Sequence, residues 1–149
     1  LGTNLLARSL ALELTLAGAP GITIVDPWDH QASVLAEAIN AVEGGNASAV
    51  EVELGSTDKS IGIIIATEDN RPIPADFQLP ELREDLVVVD TSLDPKASAT
   101  LKAATDSNSC QIDGLEVTAS IMALNFRNLT GIETDTGSLR EALDEFLDY

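Results

Sequence analysis

The chain of 149 residues is one domain's worth, long enough to bury a core, and 44% hydrophobic with 22% charged residues excludes a disordered polymer. The longest apolar run, residues 61–66, is too short to span a bilayer. The net charge of −17 repels phosphate backbones and anionic lipid, so neither nucleic acid nor a membrane is expected as a partner, and an anionic ligand needs local donors.

Helical and strand patterns alternate along the chain. Ala7, Leu10, Ala11 and Leu14 share one helix face, and Gly18 and Pro20 end that helix. Ile22 to Val25 is a β-branched run that reads as a buried strand. Asp29 is placed to cap a second helix with the face Ala32, Leu35, Ala36 and Ile39, stopped by Gly44 and Gly45. Residues 47–51 form a weaker strand and 60–66 a strong one, with room between them for a turn or two of helix. A proline-rich loop covers 70–80, and residues 86–90 form another buried strand. Asp94 and Pro95 offer an N-cap and a first helical residue for a helix through Ala104. Residues 109–112 read as a last short strand, with Cys110 as a small core residue. Two helices close the chain. The first carries Val117, Ile121, Met122, Leu124 and Phe126. The second opens on a capping box from Ser138 to Glu141 and shows Leu139, Ala142, Leu143 and Phe146.

Apolar strands alternating with amphipathic helices define an α/β fold: a Rossmann-like doubly wound parallel sheet with helices on both faces. Such a sheet needs a central strand before its first helix, yet only Leu1 precedes Gly2. The first strand is therefore missing from this sequence, which is expected to be part of a longer protein unless something else fills the slot.

Residues 2–26 follow the order of a dinucleotide-binding turn: a tight turn, a helix, a strand and an acid. Of the three small-residue positions, Gly2 keeps the turn and Ala7 keeps close helix packing, but Asn4 stands where backbone should approach a pyrophosphate. Helix N-terminal N–H groups remain for an anion. Asp26, at the end of the second strand, would accept from adenosine ribose hydroxyls. No Arg or Lys follows in residues 27–30, which leaves a 2′-phosphate only a protonated His30, so NAD is favoured over NADP. A structural reading stands beside this one, in which Asp26 only starts the turn before Pro27. Trp28 could cover an adenine ring or only cap a helix.

The C-terminal half carries a resemblance. Residues 111–131, with Asp113, Gly114, Leu115, Phe126, Thr130 and Gly131, resemble the C-terminal signature of shikimate and quinate dehydrogenases. Asp90 to Pro95 resembles the family's Asp-x-x-Tyr-Asn-Pro segment, Ile65 to Thr67 its Asn-Ala-Thr strand end, and Ala7 to Ala11 the helix after its glycine turn. The likeness runs collinearly along essentially the whole chain. It implies a Rossmann-like NAD(P)-binding domain over 1–112 and, over 113–149, C-terminal helices packing back on it toward a substrate domain that would precede residue 1. It also implies reversible NAD(P)-linked reduction of 3-dehydroshikimate to shikimate. The family's catalytic Lys and Asp belong to the substrate domain, so no catalytic residue is assigned in this chain. Cofactor contact falls to Gly2, Thr3, Asn4, Leu5 and Asp26, with Thr67, Thr91 and Gly114 near the nicotinamide.

The departures from the family are specific. Leu93 replaces a substrate-contacting Tyr, Ile121 replaces a substrate-contacting Gln, and Ile65 replaces an Asn. Apolar residues there disfavour a hydroxyl-rich substrate and suggest drifted or lost chemistry. The alternative reading is a non-catalytic Rossmann domain serving structure or assembly, fused to another enzyme of the same pathway. No metal site is expected: His30 is the only histidine, and the acids lack metal-loop spacing. One cysteine cannot form an internal disulfide, and no signal peptide opens the chain, so a cytoplasmic protein is expected.

Overall fold

The computed structural model describes residues 1–27, 31–50, 61–67, 81–94, 96 and 98–147. The expected cap Asp29, together with Trp28, His30 and the loop 70–80, lies outside them.

Five helices and five strands are described. Helix α1, Leu5–Leu16, starts where Asn4 accepts the Ala7 N–H at 2.9 Å. It ends as Gly18 turns into the left-handed region at φ +84°, where the Gly18 and Ala19 N–H groups reach the carbonyls of Thr15 and Leu14. Strand β1, Ile22–Val25, follows, then helix α2, Ala32–Asn40, whose N-cap is Gln31 with no side-chain capping bond. Strands β2, Ala47–Val50, β3, Ile63–Ala66, and β4, Val87–Asp90, lead to helix α3, Ala99–Asp106.

The start of α3 corrects the sequence reading. Its N-cap is Ser98, whose Oγ accepts the Leu101 N–H at 3.0 Å. Asp94 sits four residues earlier, where its own N–H donates to Ser92 Oγ at 3.2 Å, and Pro95 lies outside the described residues. Strand β5, Cys110–Ile112, precedes helices α4, Gly114–Thr130, and α5, Thr136–Leu147. Helix α4 is capped by Asp113 and ends at Gly131, φ +73°. The expected box starting at Ser138 is displaced by one turn. Asp135 Oδ2 accepts both the N–H and the hydroxyl of Ser138 at 2.8 Å, so the carboxylate does the capping.

All strand pairs are parallel. Strands β1 and β2 form one sheet, with Ile22 opposite Ala47, and β3, β4 and β5 form another, with Ile63 opposite Val87 and Val87 opposite Cys110. The two sheets face each other across the position that a strand before α1 would take. Leu1 and Gly2 bridge that gap. The Leu1 amine donates to Ile65 O at 2.6 Å, Leu1 O accepts the Thr67 N–H at 3.0 Å, and the Gly2 N–H donates to Val25 O at 2.7 Å. Below this single rung lies an apolar slot of about 580 Å³, lined by Leu10, Leu14, Ile24, Ile63 and Ile65 among others. The strand order β2–β1–slot–β3–β4–β5 is that of a doubly wound sheet.

Ala11 of α1 and Ala32, Leu35, Ala36 and Ile39 of α2 pack with Ile24 as one core cluster. Leu86, Val88 and Ala104 form a second, under α3. Cys110 is exposed rather than buried: among the described residues β5 is an edge strand bonded only to β4. Leu115 and Ala119 of α4 are buried, but its later apolar residues are half exposed, Ile121 at 46% and Phe126 at 44%, and α5 has no buried residue. Among the described residues no helix is long and apolar enough to cross a membrane.

Candidate functional site

The C-terminal ends of β1, β3 and β4 lie side by side with the turn that starts α1. Ligands of open α/β sheets bind in this crevice, at the point where the strand order reverses. Gly2 makes the turn at φ +95°, a conformation that costs only glycine nothing. The turn delivers Thr3, whose Oγ1 donates to Asp26 Oδ2 at 2.5 Å. The same oxygen accepts the Gln31 N–H at 3.3 Å. Asp26 is 1% exposed, so its carboxylate clasps the glycine turn to the start of α2. A ribose hydroxyl reaching Asp26 would compete with Thr3 for it.

Asn4 follows. Its Oδ1 caps α1 through Ala7, and its Nδ2 donates to the Thr67 carbonyl at the end of β3. Thr67 is buried, with N–H and Oγ1 both directed to Leu1 O. In β4's loop, the Thr91 N–H and Oγ1 both donate to Ala66 O, at 3.0 and 3.2 Å. Gly114 presses on the same loop: a Cβ on it would stand 2.0 Å from the Ser92 carbonyl oxygen. Asp26, Thr3, Gly2, Asn4, Thr67, Thr91 and Gly114 therefore form one connected line along the strand ends. Leu5 stands at its rim, 81% exposed. Leu93, after β4, and Ile121, midway along α4, are each about half exposed and are not tied into the line by these bonds.

Three further features have weak sequence signals. Asp90, 5% exposed, accepts the Ser92 N–H at 2.9 Å and the Ser98 hydroxyl at 2.5 Å, which pins the loop carrying Thr91 and Leu93. Nothing periodic links an Asp to a Ser eight residues on. Arg8 donates from Nε to Thr3 O at 3.2 Å and sets a cation beside the turn in a strongly acidic chain. Arg8 lies within the segment Ala7 to Ala11 that carries part of the family resemblance, and no spacing marks it as a turn contact. Finally, Arg140 of α5 grips the α4 cap, Asp113, with both amino groups at 2.5 and 2.6 Å. That guanidinium is the main cause holding the Asp113 carboxyl below its ordinary value of 3.8, against partial burial that pushes the other way.

This geometry is a Rossmann-like α/β fold with a crevice at the strand-order reversal, and solved structures match it. A 5-ketofructose reductase from a Gluconobacter strain superposes with TM-score 0.79 at 25% identity, over 95% of this chain and 53% of that chain. The shikimate 5-dehydrogenase of Listeria monocytogenes, solved with shikimate and NAD, gives 0.72 at 23% identity over 92% and 52%. The quinate dehydrogenase of Corynebacterium glutamicum, solved with NAD, gives 0.68 at 22% identity over 99% and 53%. The resemblance carried by residues 111–131 thus extends to the fold, and the chain spans about half the length of these structures. No protein-family profile and no curated protein sequence matches the chain.

Proposed function

We propose that this chain is the nicotinamide-dinucleotide-binding part of a shikimate-dehydrogenase-like oxidoreductase, taking NAD in preference to NADP. One observation carries the reading: the residues singled out for the cofactor meet in a single line of contacts across the strand ends, from Asp26 through Asn4 to Thr67 and Thr91. The residues present fit a dinucleotide, with one departure at Asn4. Gly2 and the start of α1 would face the pyrophosphate, beside the Arg8 cation. Asp26 would take the adenosine ribose, and Thr67, Thr91 and Gly114 would lie beneath the nicotinamide. The dinucleotide supplies the hydride chemistry when bound; the chain binds and orients it.

The proposed substrate is a small hydroxy acid, gripped mainly by residues outside this chain. Leu93 and Ile121 offer no hydrogen bond to a hydroxyl-rich substrate, so shikimate itself would be turned over poorly. The self-capped turn at Asn4 and the half-exposed apolar residues of α4 favour one competing reading, a non-catalytic domain fused for assembly. Calorimetric titration of the folded full-length protein with NAD and NADP separates the two. Micromolar binding of NAD, weaker for NADP, is expected; heat from neither would contradict the dinucleotide reading and leave the scaffold.

A further inference from the structure

We propose that Asn4 is a built-in competitor for the cofactor's pyrophosphate, and that this one side chain sets how tightly the crevice holds a dinucleotide. The inference rests on the dinucleotide reading above. Asn4 Oδ1 occupies the Ala7 N–H, a donor that an anion at the start of α1 would use. Its Nδ2 is held at the same time by the Thr67 carbonyl, so the carboxamide is fastened at both ends and spans the crevice from α1 to β3. A bound pyrophosphate has to break both bonds. The backbone does not demand this residue. Asn4 lies at φ −61° and ψ 178°, extended geometry open to any residue, so a smaller one keeps the same path.

The competition acts only on ligands that carry a phosphate to the turn. Adenosine ends short of it and does not meet Asn4. The side chain also supplies a cap when no ligand is bound, so it trades affinity for stability of the empty form.

The test titrates the full-length wild-type protein, Asn4→Gly and Asn4→Ala with NAD and with adenosine, and melts each protein without ligand. Both variants are expected to bind NAD at least about tenfold more tightly, as one recovered donor to a charged group allows. Adenosine affinity should change by less than about twofold, and Asn4→Ala should melt a few degrees lower. A residue with only a structural role would lower stability and affinity together. Unchanged or weaker NAD binding in the variants overturns this proposal while leaving the dinucleotide reading intact. Absence of NAD binding in all the folded proteins overturns both. Should Asn4→Ala fail to fold, Asn4→Gly frees the same Ala7 N–H at a smaller cost to the helix start and carries the test alone.

Discussion

Gly114→Ala tests how α4 is seated. The added Cβ would stand 2.0 Å from the Ser92 carbonyl oxygen, 2.6 Å from its carbon and 2.8 Å from the Thr91 carbon. Non-bonded heavy atoms rest at about 3.5 Å, and the obstacle is backbone, pinned through Ser92 N–H to buried Asp90. The helix start must therefore retreat by more than an ångström. That movement draws Asp113 away from the Glu116 N–H it caps at 2.9 Å and strains the grip of Arg140. Overpacking of this kind costs about 1–3 kcal/mol and a lost cap about 1 more. The gain from replacing a helical glycine is at most about 1 kcal/mol, so a net loss of about 1–3 kcal/mol is expected. For a chain of this length that lowers the melting temperature by roughly 3–10 °C, read by circular dichroism. Gly62→Ala is the control, since its Cβ meets nothing within 4 Å and should shift stability by less than about 0.5 kcal/mol. If Gly114→Ala melts within a degree of wild type, α4 does not press on the β4 loop and the reasoning fails.

Other substitutions probe the remaining clasps. Ser98→Ala removes the α3 cap and a donor to buried Asp90, and should cost about 2–3 kcal/mol in urea unfolding. Thr3→Val strips a donor from the Asp26 carboxylate and should cost about 1–3 kcal/mol, with Thr3→Ser restoring most of it; equal stability of Thr3→Val and wild type would exclude a Thr3–Asp26 clasp. The Arg140–Asp113 pair predicts an acid limb. Because the folded carboxyl sits below 3.8, the unfolded chain protonates first, so the pair's contribution is present above 3.8 and is lost as pH falls through the folded value. Partial exposure screens the pair, so Arg140→Gln should remove only about 0.5–1 kcal/mol near neutral pH and flatten that limb; hydrogen exchange in α5 reads it most sensitively.

Much of this architecture is legible in the chain because it rests on local pattern. The 3.6-residue spacing of Ala7 and Ala11 marks α1, and the β-branched runs at 22–25 and 87–90 mark strands. Caps are legible only in part. Near α3 two candidates compete, and the choice of Ser98 over Asp94 depends on a buried carboxylate eight residues upstream. Near α5 a carboxylate at 135 outcompetes a serine at 138. Period alone gives Cys110 a place in a strand but not that the strand is an edge, and it gives α4 an apolar stripe but not its cover. The line across the crevice joins residues more than twenty and more than sixty positions apart, Thr3 with Asp26 and Asn4 with Thr67, which no local spacing encodes.

The most direct measurement is a crystal structure of the chain grown with NAD. The account predicts the pyrophosphate against residues 2–5, the adenosine ribose at Asp26, the nicotinamide over Thr67 and Thr91, and the Asn4 carboxamide moved off the Ala7 N–H. A crevice without dinucleotide at saturating NAD, with Asn4 still bonded to Ala7 and Thr67, would contradict it.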